Sequence, residues 1–234
     1  MSGLRDKLKD AEFYLPAPAC RIALRTTRLV DNPYTEGMDA LGCIFIHVPK
    51  TAGTSIADVL FGAKSRHIPA VRYRAWDQAK FDRYYKFCVV RNPFDRLYSA
   101  YSYLRASAGD RKFRDHAWAT DNLSRFDSFE AFVLALAEPP VRRSIMAYIH
   151  FRPQHHWVRL PLGTPCAMDK VGRYEALDDD YREIMGRLGR PAPELSHRRM
   201  GKRGHYREVY TARMKDIAAD LYRNDLKLFG YGFD

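Results

Sequence analysis

Two stretches of the chain follow the same pattern. Cys43-Ile44-Phe45-Ile46-His47-Val48 is a short apolar run that leads into Pro49-Lys50-Thr51-Ala52-Gly53-Thr54-Ser55. Phe87-Cys88-Val89-Val90 is a second such run, followed by Arg91-Asn92-Pro93 and then Phe94-Asp95-Arg96-Leu97-Tyr98-Ser99-Ala100-Tyr101. Short apolar runs without polar alternation predict strands covered on both faces, as in parallel sheets. Proline cannot donate to a strand ladder, so Pro49 ends the first run. Each strand then hands over to a loop carrying a cation and to a helix start, which is how α/β proteins hold phosphate groups. Two such loops predict a ligand with two separated anionic ends.

The fold class read from this pattern is α/β, a central parallel sheet flanked by helices. A length of 234 residues with 46% apolar and 13% aromatic residues fits one domain over 1–234, with residues 1–41 as an arm packed on it. Thr54 or Ser55 is placed to cap the first helix, and Gly62 to end it. A surface helix is expected over 73–85, and a helix from Phe94 that carries Leu97, Tyr98, Tyr101 and Leu104 inward and turns Arg96 away from the most apolar face. The polar segment 106–125 reads as a long loop. Asp127 with Glu130 resembles a helix cap, Pro139-Pro140 a helix stop, and later elements are a strand near 170–174 and helices over 179–188 and 206–224.

Lys and Arg outnumber Asp and Glu by 39 to 28, a formal charge of +11, which favours encounter with anions. The basic residues are dispersed, and no nucleic-acid motif, stacking pattern or polybasic tail accompanies them, so no nucleic-acid partner is expected. Cys20, Cys43, Cys88 and Cys166 show no Cys-x-x-Cys spacing and read as free thiols of a reducing compartment. No apolar run approaches the ~20 residues of a membrane span, and no secretory leader is legible, so a cytoplasmic protein without a transmembrane segment is expected. No metal ligands stand at recognisable spacing.

In Pro49, Lys50, Thr51, Ala52, Gly53, Thr54 and Ser55 the small residues let backbone N–H groups approach an anion. The helix start adds about half a positive charge and Lys50 a mobile full one. A nucleoside-triphosphate loop is not the reading, because Gly37 and Gly42 have its spacing but are followed by Cys43-Ile44 where Lys-Ser/Thr is required. Arg91 offers a planar fork for phosphate and Ser99 a neutral donor two helical turns on. Taken alone, Arg91 serves equally well as the ion-pair partner of Asp95.

These residues resemble the sulfotransferases that use 3′-phosphoadenosine 5′-phosphosulfate, and within them the carbohydrate branch that includes the heparan 2-O enzymes, sulfotransferase family 2. Both signature segments match in order. Weaker matches run through Arg152-Pro153-Gln154, Val171-Gly172-Arg173-Tyr174-Glu175 and Asp225-Leu226-Lys227-Leu228-Phe229-Gly230-Tyr231. The resemblance implies a P-loop-like sulfotransferase fold and transfer of a sulfuryl group to a hydroxyl, of a carbohydrate or another acceptor, with no metal. It implies that Pro49 to Ser55 hold the 5′-phosphosulfate end, that Arg91 and Ser99 hold the 3′-phosphate, and that Lys202-Arg203-Gly204 close over it. His67 stands where the 2-O branch carries its catalytic histidine, with His155 as the reserve base, and Arg152, Gln154, His155 and His156 stand on the acceptor side. His47, flanked by apolar residues, reads as packed in or beside the sheet. The alternatives are a phosphate-handling kinase of related fold and a basic nucleic-acid-binding module.

Overall fold

The computed structural model describes residues 31–62, 65–107, 113–160, 165–195 and 204–233. In chain order, α1 (Glu36–Leu41) leads into β1 (Cys43–Ile46), α2 (Gly53–Phe61), α3 (Ala70–Trp76), α4 (Gln78–Arg83) and β2 (Tyr85–Val90). Then follow α5 (Pro93–Ser107), α6 (Arg114–Leu123), α7 (Phe129–Ala135), α8 (Pro139–Ala147), α9 (His155–Val158) and β3 (Lys170–Arg173). A 3-10 turn (Tyr174–Ala176) precedes α10 (Leu177–Arg187), α11 (Tyr206–Val209), α12 (Ala212–Leu221) and α13 (Arg223–Phe229). Contacts group the described residues into two units, 31–90 with 154–195, and 91–153 with 204–233.

The first unit is built on the sheet. Its strands run in the order β1-β2-β3, all parallel, with Phe45 opposite Phe87 and Val89 opposite Gly172. The apolar runs form these strands because both faces are covered: Cys43, Ile44, Phe45 and Ile46 are buried, as are Phe87, Cys88, Val89 and Val90. Phe45 and Phe87 stack at 5.1 Å between centroids, a pair contributing about 0.5–1.5 kcal/mol beyond its buried area. Gly42 stands in the left-handed region at φ 57°, ends α1 and turns the chain into β1. The parallel sheet with flanking helices expected from the sequence is the architecture observed.

The second unit is helical around an aromatic core. Phe94, Leu97, Tyr101 and Leu104 of α5 pack with Leu123, Phe132, Val133, Ile145, Phe151, Tyr210 and Tyr222. Tyr101 stacks on Phe132 at 5.0 Å and Trp118 on Tyr148 at 3.6 Å. Asn92 starts α5: its side chain accepts from the Phe94 N–H at 3.0 Å, and Pro93 takes the first helical position, where its missing donor costs nothing.

Several expectations are corrected. Residues 73–85 form two helices and a strand start, because Asp77 ends α3 and caps α4 by accepting from the Lys80 N–H. Arg96 is fully buried instead of turned outward; its guanidinium donates to the Arg152 carbonyl and lies over the Tyr222 ring. Burial depresses its pKa, while Tyr222 and Asp225 oppose that shift. The polar segment 106–125 contains α6. The cap of α7 is Ser128, which accepts from the Ala131 N–H at 3.0 Å, and Pro139-Pro140 begin α8 rather than only stopping α7. The last helix is three, broken at Tyr210 and Tyr222.

Cys43, Cys88 and Cys166 are free, as expected, and burial pushes the Cys43 thiol up to about 12. Cys20 and residues 1–30 of the expected arm lie outside the described residues. No described helix is long and apolar enough to cross a membrane.

Candidate functional site

In the first unit, β1 ends at Ile46 and the chain turns through Val48 and Pro49 into a tight loop. The Thr51 hydroxyl donates to the Val48 carbonyl at 2.8 Å and closes that turn. Lys50 and Ala52 both stand in the left-handed region, at φ 71° and 65°, where side chains other than glycine are strained. Strain of this kind persists where the surroundings impose it and clusters at ligand sites. The two left-handed residues start α2 at Gly53, so Thr54 and Ser55 sit in its first turn instead of capping it. Its N-cap, Ala52, has no side-chain acceptor, and the first turn carries no acidic residue. Within the first turn the Ser55 and Ile56 N–H groups bond back to the Ala52 carbonyl at 3.1 and 3.4 Å, and the Gly53 and Thr54 N–H groups ahead of them are the ones that have no place in the α2 ladder. Pro49, Thr51, Gly53 and Ser55 are buried, Lys50 and Ala52 half-buried, and Thr54 exposed.

Gly53 is required by its neighbour. A Cβ there would stand 2.1 Å from Cδ2 and 2.5 Å from Nε2 of His47. His47, 5% exposed, stacks on Phe45 at 5.7 Å, which matches its reading as a residue packed against the sheet. Its ring lies 4.1 Å from that of His67, and its Nδ1 shares a 2.5 Å hydrogen bond with the Ser65 hydroxyl.

His67 lies half-buried in the loop between α2 and α3, with Nδ1 2.8 Å from the His47 carbonyl oxygen. A carbonyl only accepts, so Nδ1 carries the proton and the lone pair of the neutral ring is on Nε2. That is the tautomer a general base needs at Nε2. The edge of Trp157, from α9, meets the His67 ring at 6.1 Å. His155 and His156 precede Trp157 on α9, half-buried with rings 4.3 Å apart, and α9 packs on α3. Gln154, just before them, is fully buried.

In the second unit, Arg91 follows the last residue of β2 in the chain. Its guanidinium folds back along α5: Nε and Nη2 bind the same Asp95 oxygen at 2.7 and 2.6 Å, and Nη1 reaches the Ser99 hydroxyl at 3.3 Å. The two readings of Arg91, ion pair and anion fork, are compatible, because the ion pair uses one edge and brings the other to Ser99. Asp95 and Ser99 lie one turn apart on the same face of α5, which lets one guanidinium span both. Arg152 is buried and donates to the Ala147 carbonyl at 2.8 Å. Gly204 is exposed, whereas Lys202 and Arg203 lie outside the described residues.

The structure thus brings Lys50, His47 and His67 into one unit and Arg91 with Ser99 into the other. No local sequence pattern points to Ser65 or Trp157, whose contacts with His47 and His67 join segments distant in the chain. Among the described residues, no group of His, Cys, Asp or Glu is placed to hold a metal ion.

No curated protein and no solved structure matches the chain. The model of the Sulfotransferase family matches residues 39–232, the greater part of the chain, including both strand-to-helix loops and every described candidate residue. The chain belongs to the Sulfotransferase family.

Proposed function

We propose that the protein transfers a sulfuryl group from 3′-phosphoadenosine 5′-phosphosulfate to a hydroxyl, that of a carbohydrate. The observation that carries the reading is the strained loop at Lys50 and Ala52 ahead of an uncapped α2, beside an imidazole held as the Nδ1–H tautomer. The residues fit the donor. The α2 N–H groups and Lys50 suit the phosphosulfate end, and Arg91 Nη1 with the Ser99 hydroxyl suits the 3′-phosphate.

When bound, the donor supplies an activated sulfuryl group. Nε2 of His67 takes the proton of the acceptor hydroxyl as its oxygen bonds to sulfur, a contribution of roughly 10²- to 10⁴-fold. Lys50 balances the negative charge that builds on the departing bridging oxygen, and removal of such a group costs about 3 kcal/mol of barrier. His155 and His156 on α9, with Gln154 and Arg152 before them, are proposed for the acceptor side. A dispersed charge of +11 favours an acidic acceptor such as a uronic-acid polysaccharide.

Calorimetric titration with adenosine 3′,5′-bisphosphate, against 5′-AMP as control, tests the donor. Binding that depends on the 3′-phosphate is expected, and equal or absent binding by the folded protein overturns the reading. Transfer of label from the donor to an unsulfated uronic-acid polysaccharide tests the acceptor. Donor binding with no label on that polysaccharide removes the carbohydrate and keeps the transferase.

A further inference from the structure

We infer that His47 is a positioning residue that sets the base, His67, in register with the anion loop. The inference rests on the assignment of His67 as the base and goes beyond it, since the His47 ring accepts no proton from substrate in this scheme. Three contacts carry it, all within the first unit. The His47 carbonyl holds the Nδ1 of His67 at 2.8 Å, which fixes the tautomer. The His47 ring lies against the His67 ring, 4.1 Å between centroids at an angle of 50°, which limits how the base can rotate about its side-chain bonds. The Cδ2–Nε2 edge of the same ring occupies the space a Cβ of Gly53 would need, at the first residue of α2, so it touches the loop itself.

The ring is in turn held in place. Phe45 stacks on it at 5.7 Å with 13° between planes, and Ser65 fixes Nδ1 at 2.5 Å. Ser65 lies two residues before His67, so the segment that carries the base is tied to His47 through a side chain as well as through a carbonyl. A buried ring with two rotatable bonds and contacts on four sides has one position available. Movement of the loop at Gly53 therefore reaches His67 through a single rigid body, and a displacement near 1 Å of a catalytic group lowers turnover by about 10²-fold.

The test compares His47→Ala with His47→Phe. Phenylalanine keeps the ring and the backbone carbonyl and loses the bond to Ser65; alanine loses the ring as well. The first readout is the long-range ¹H–¹⁵N spectrum of the ligand-free protein. Wild type is expected to show His67 as one Nδ1-protonated tautomer, which both variants keep because the backbone carbonyl remains; His47→Phe should leave the His67 ring signals nearly in place, and His47→Ala should shift and broaden them as the ring loses the neighbour that orients it. The second readout is sulfate released from the donor with water as acceptor, beside bisphosphate affinity. Turnover is expected to fall about 10²-fold in His47→Ala and about 10-fold in His47→Phe, with bisphosphate affinity held within about threefold. An unchanged His67 spectrum and unchanged turnover in His47→Ala overturn the inference. A wild-type protein that fails to bind bisphosphate overturns the proposed function instead, and the spectra of the ligand-free variants still decide whether His47 orders His67.

Discussion

Gly53→Ala places a methyl group against a ring that has nowhere to go. The new Cβ would lie 2.1 Å from Cδ2 of His47, and ordinary carbon contacts begin near 3.4 Å, so the ring must withdraw by about 1.3 Å. His47 is buried, stacked on Phe45 and bonded to Ser65, so withdrawal breaks packing on every side. Overpacking of this kind costs about 1–3 kcal/mol, whereas replacing glycine by alanine inside a helix returns at most about 1 kcal/mol, and less at the first helical residue. The steric term wins, and a net loss of about 1–2 kcal/mol lowers the melting temperature by roughly 2–8 °C in a chain of this length. Thermal unfolding followed by circular dichroism reads the shift. The same substitution made in His47→Ala should cost less, since the ring's space receives the methyl, and the coupling between the two sites should reach about 0.5–2 kcal/mol. A melting temperature unchanged or raised by Gly53→Ala, or additive effects in the double variant, would refute the contact.

Arg91→Ala is expected to weaken adenosine 3′,5′-bisphosphate by about 2–3 kcal/mol while leaving 5′-AMP nearly unaffected, as read by calorimetry, because the fork aimed at Ser99 is lost. Asp95→Asn should weaken the bisphosphate less than Arg91→Ala does, and Asp95→Glu should restore part of the loss, since that carboxylate only holds the guanidinium in place. In the second unit, the His150 hydrogen bond foremost, with those of Tyr148 and Tyr103, holds the Asp115 carboxyl below the usual carboxylate range. Its stabilisation is complete above the unfolded value near 4 and is lost as pH falls through the depressed folded value, so Asp115→Asn should flatten the acid side of the stability curve measured by urea unfolding. Ser128→Ala should cost about 1 kcal/mol in the same assay and Asp127→Ala almost nothing, because only Ser128 caps α7.

The parts of the fold legible in the sequence are those where one physical demand acts alone. β1 and β2 are apolar without alternation because both faces are covered, and nothing in those runs competes with a strand. Where demands compete, the local signal fails. α6 has no side-chain cap at Phe113, and of its residues only Ala119 and Leu123 are buried, so neither a start signal nor an apolar stripe marks it. Pro139-Pro140 fits a helix end and a helix start equally, and the chain uses it between α7 and α8. Arg96 carries a charge that every surface rule turns outward. Its burial depends on the Arg152 carbonyl and the Tyr222 ring, both remote in sequence and so invisible to helical periodicity.

The candidate site divides along the same line. Lys50 and Arg91 are visible because a cation after a strand is a local pattern, Ser99 because it lies two helical turns beyond Arg91, and the orientation of Arg91 is nearly so, since Asp95 lies one helical turn away from it. The loop conformation was hidden, because propensity assigns left-handed backbone to glycine and the chain places Lys50 and Ala52 there while its glycine, Gly53, begins the helix. That apparent misplacement has a physical cause. Gly53 is a glycine for lack of side-chain space against His47, not for backbone freedom, and the loop residues before it bear the strain instead. If Gly53 had moved back to position 52 to relieve the strain, a side chain at 53 would displace His47 and, through it, His67. The order Lys-Thr-Ala-Gly therefore suits a histidine that precedes it in the strand exit, and the strain at Lys50 and Ala52 goes with keeping His67 and the loop at Gly53 in contact with one buried ring.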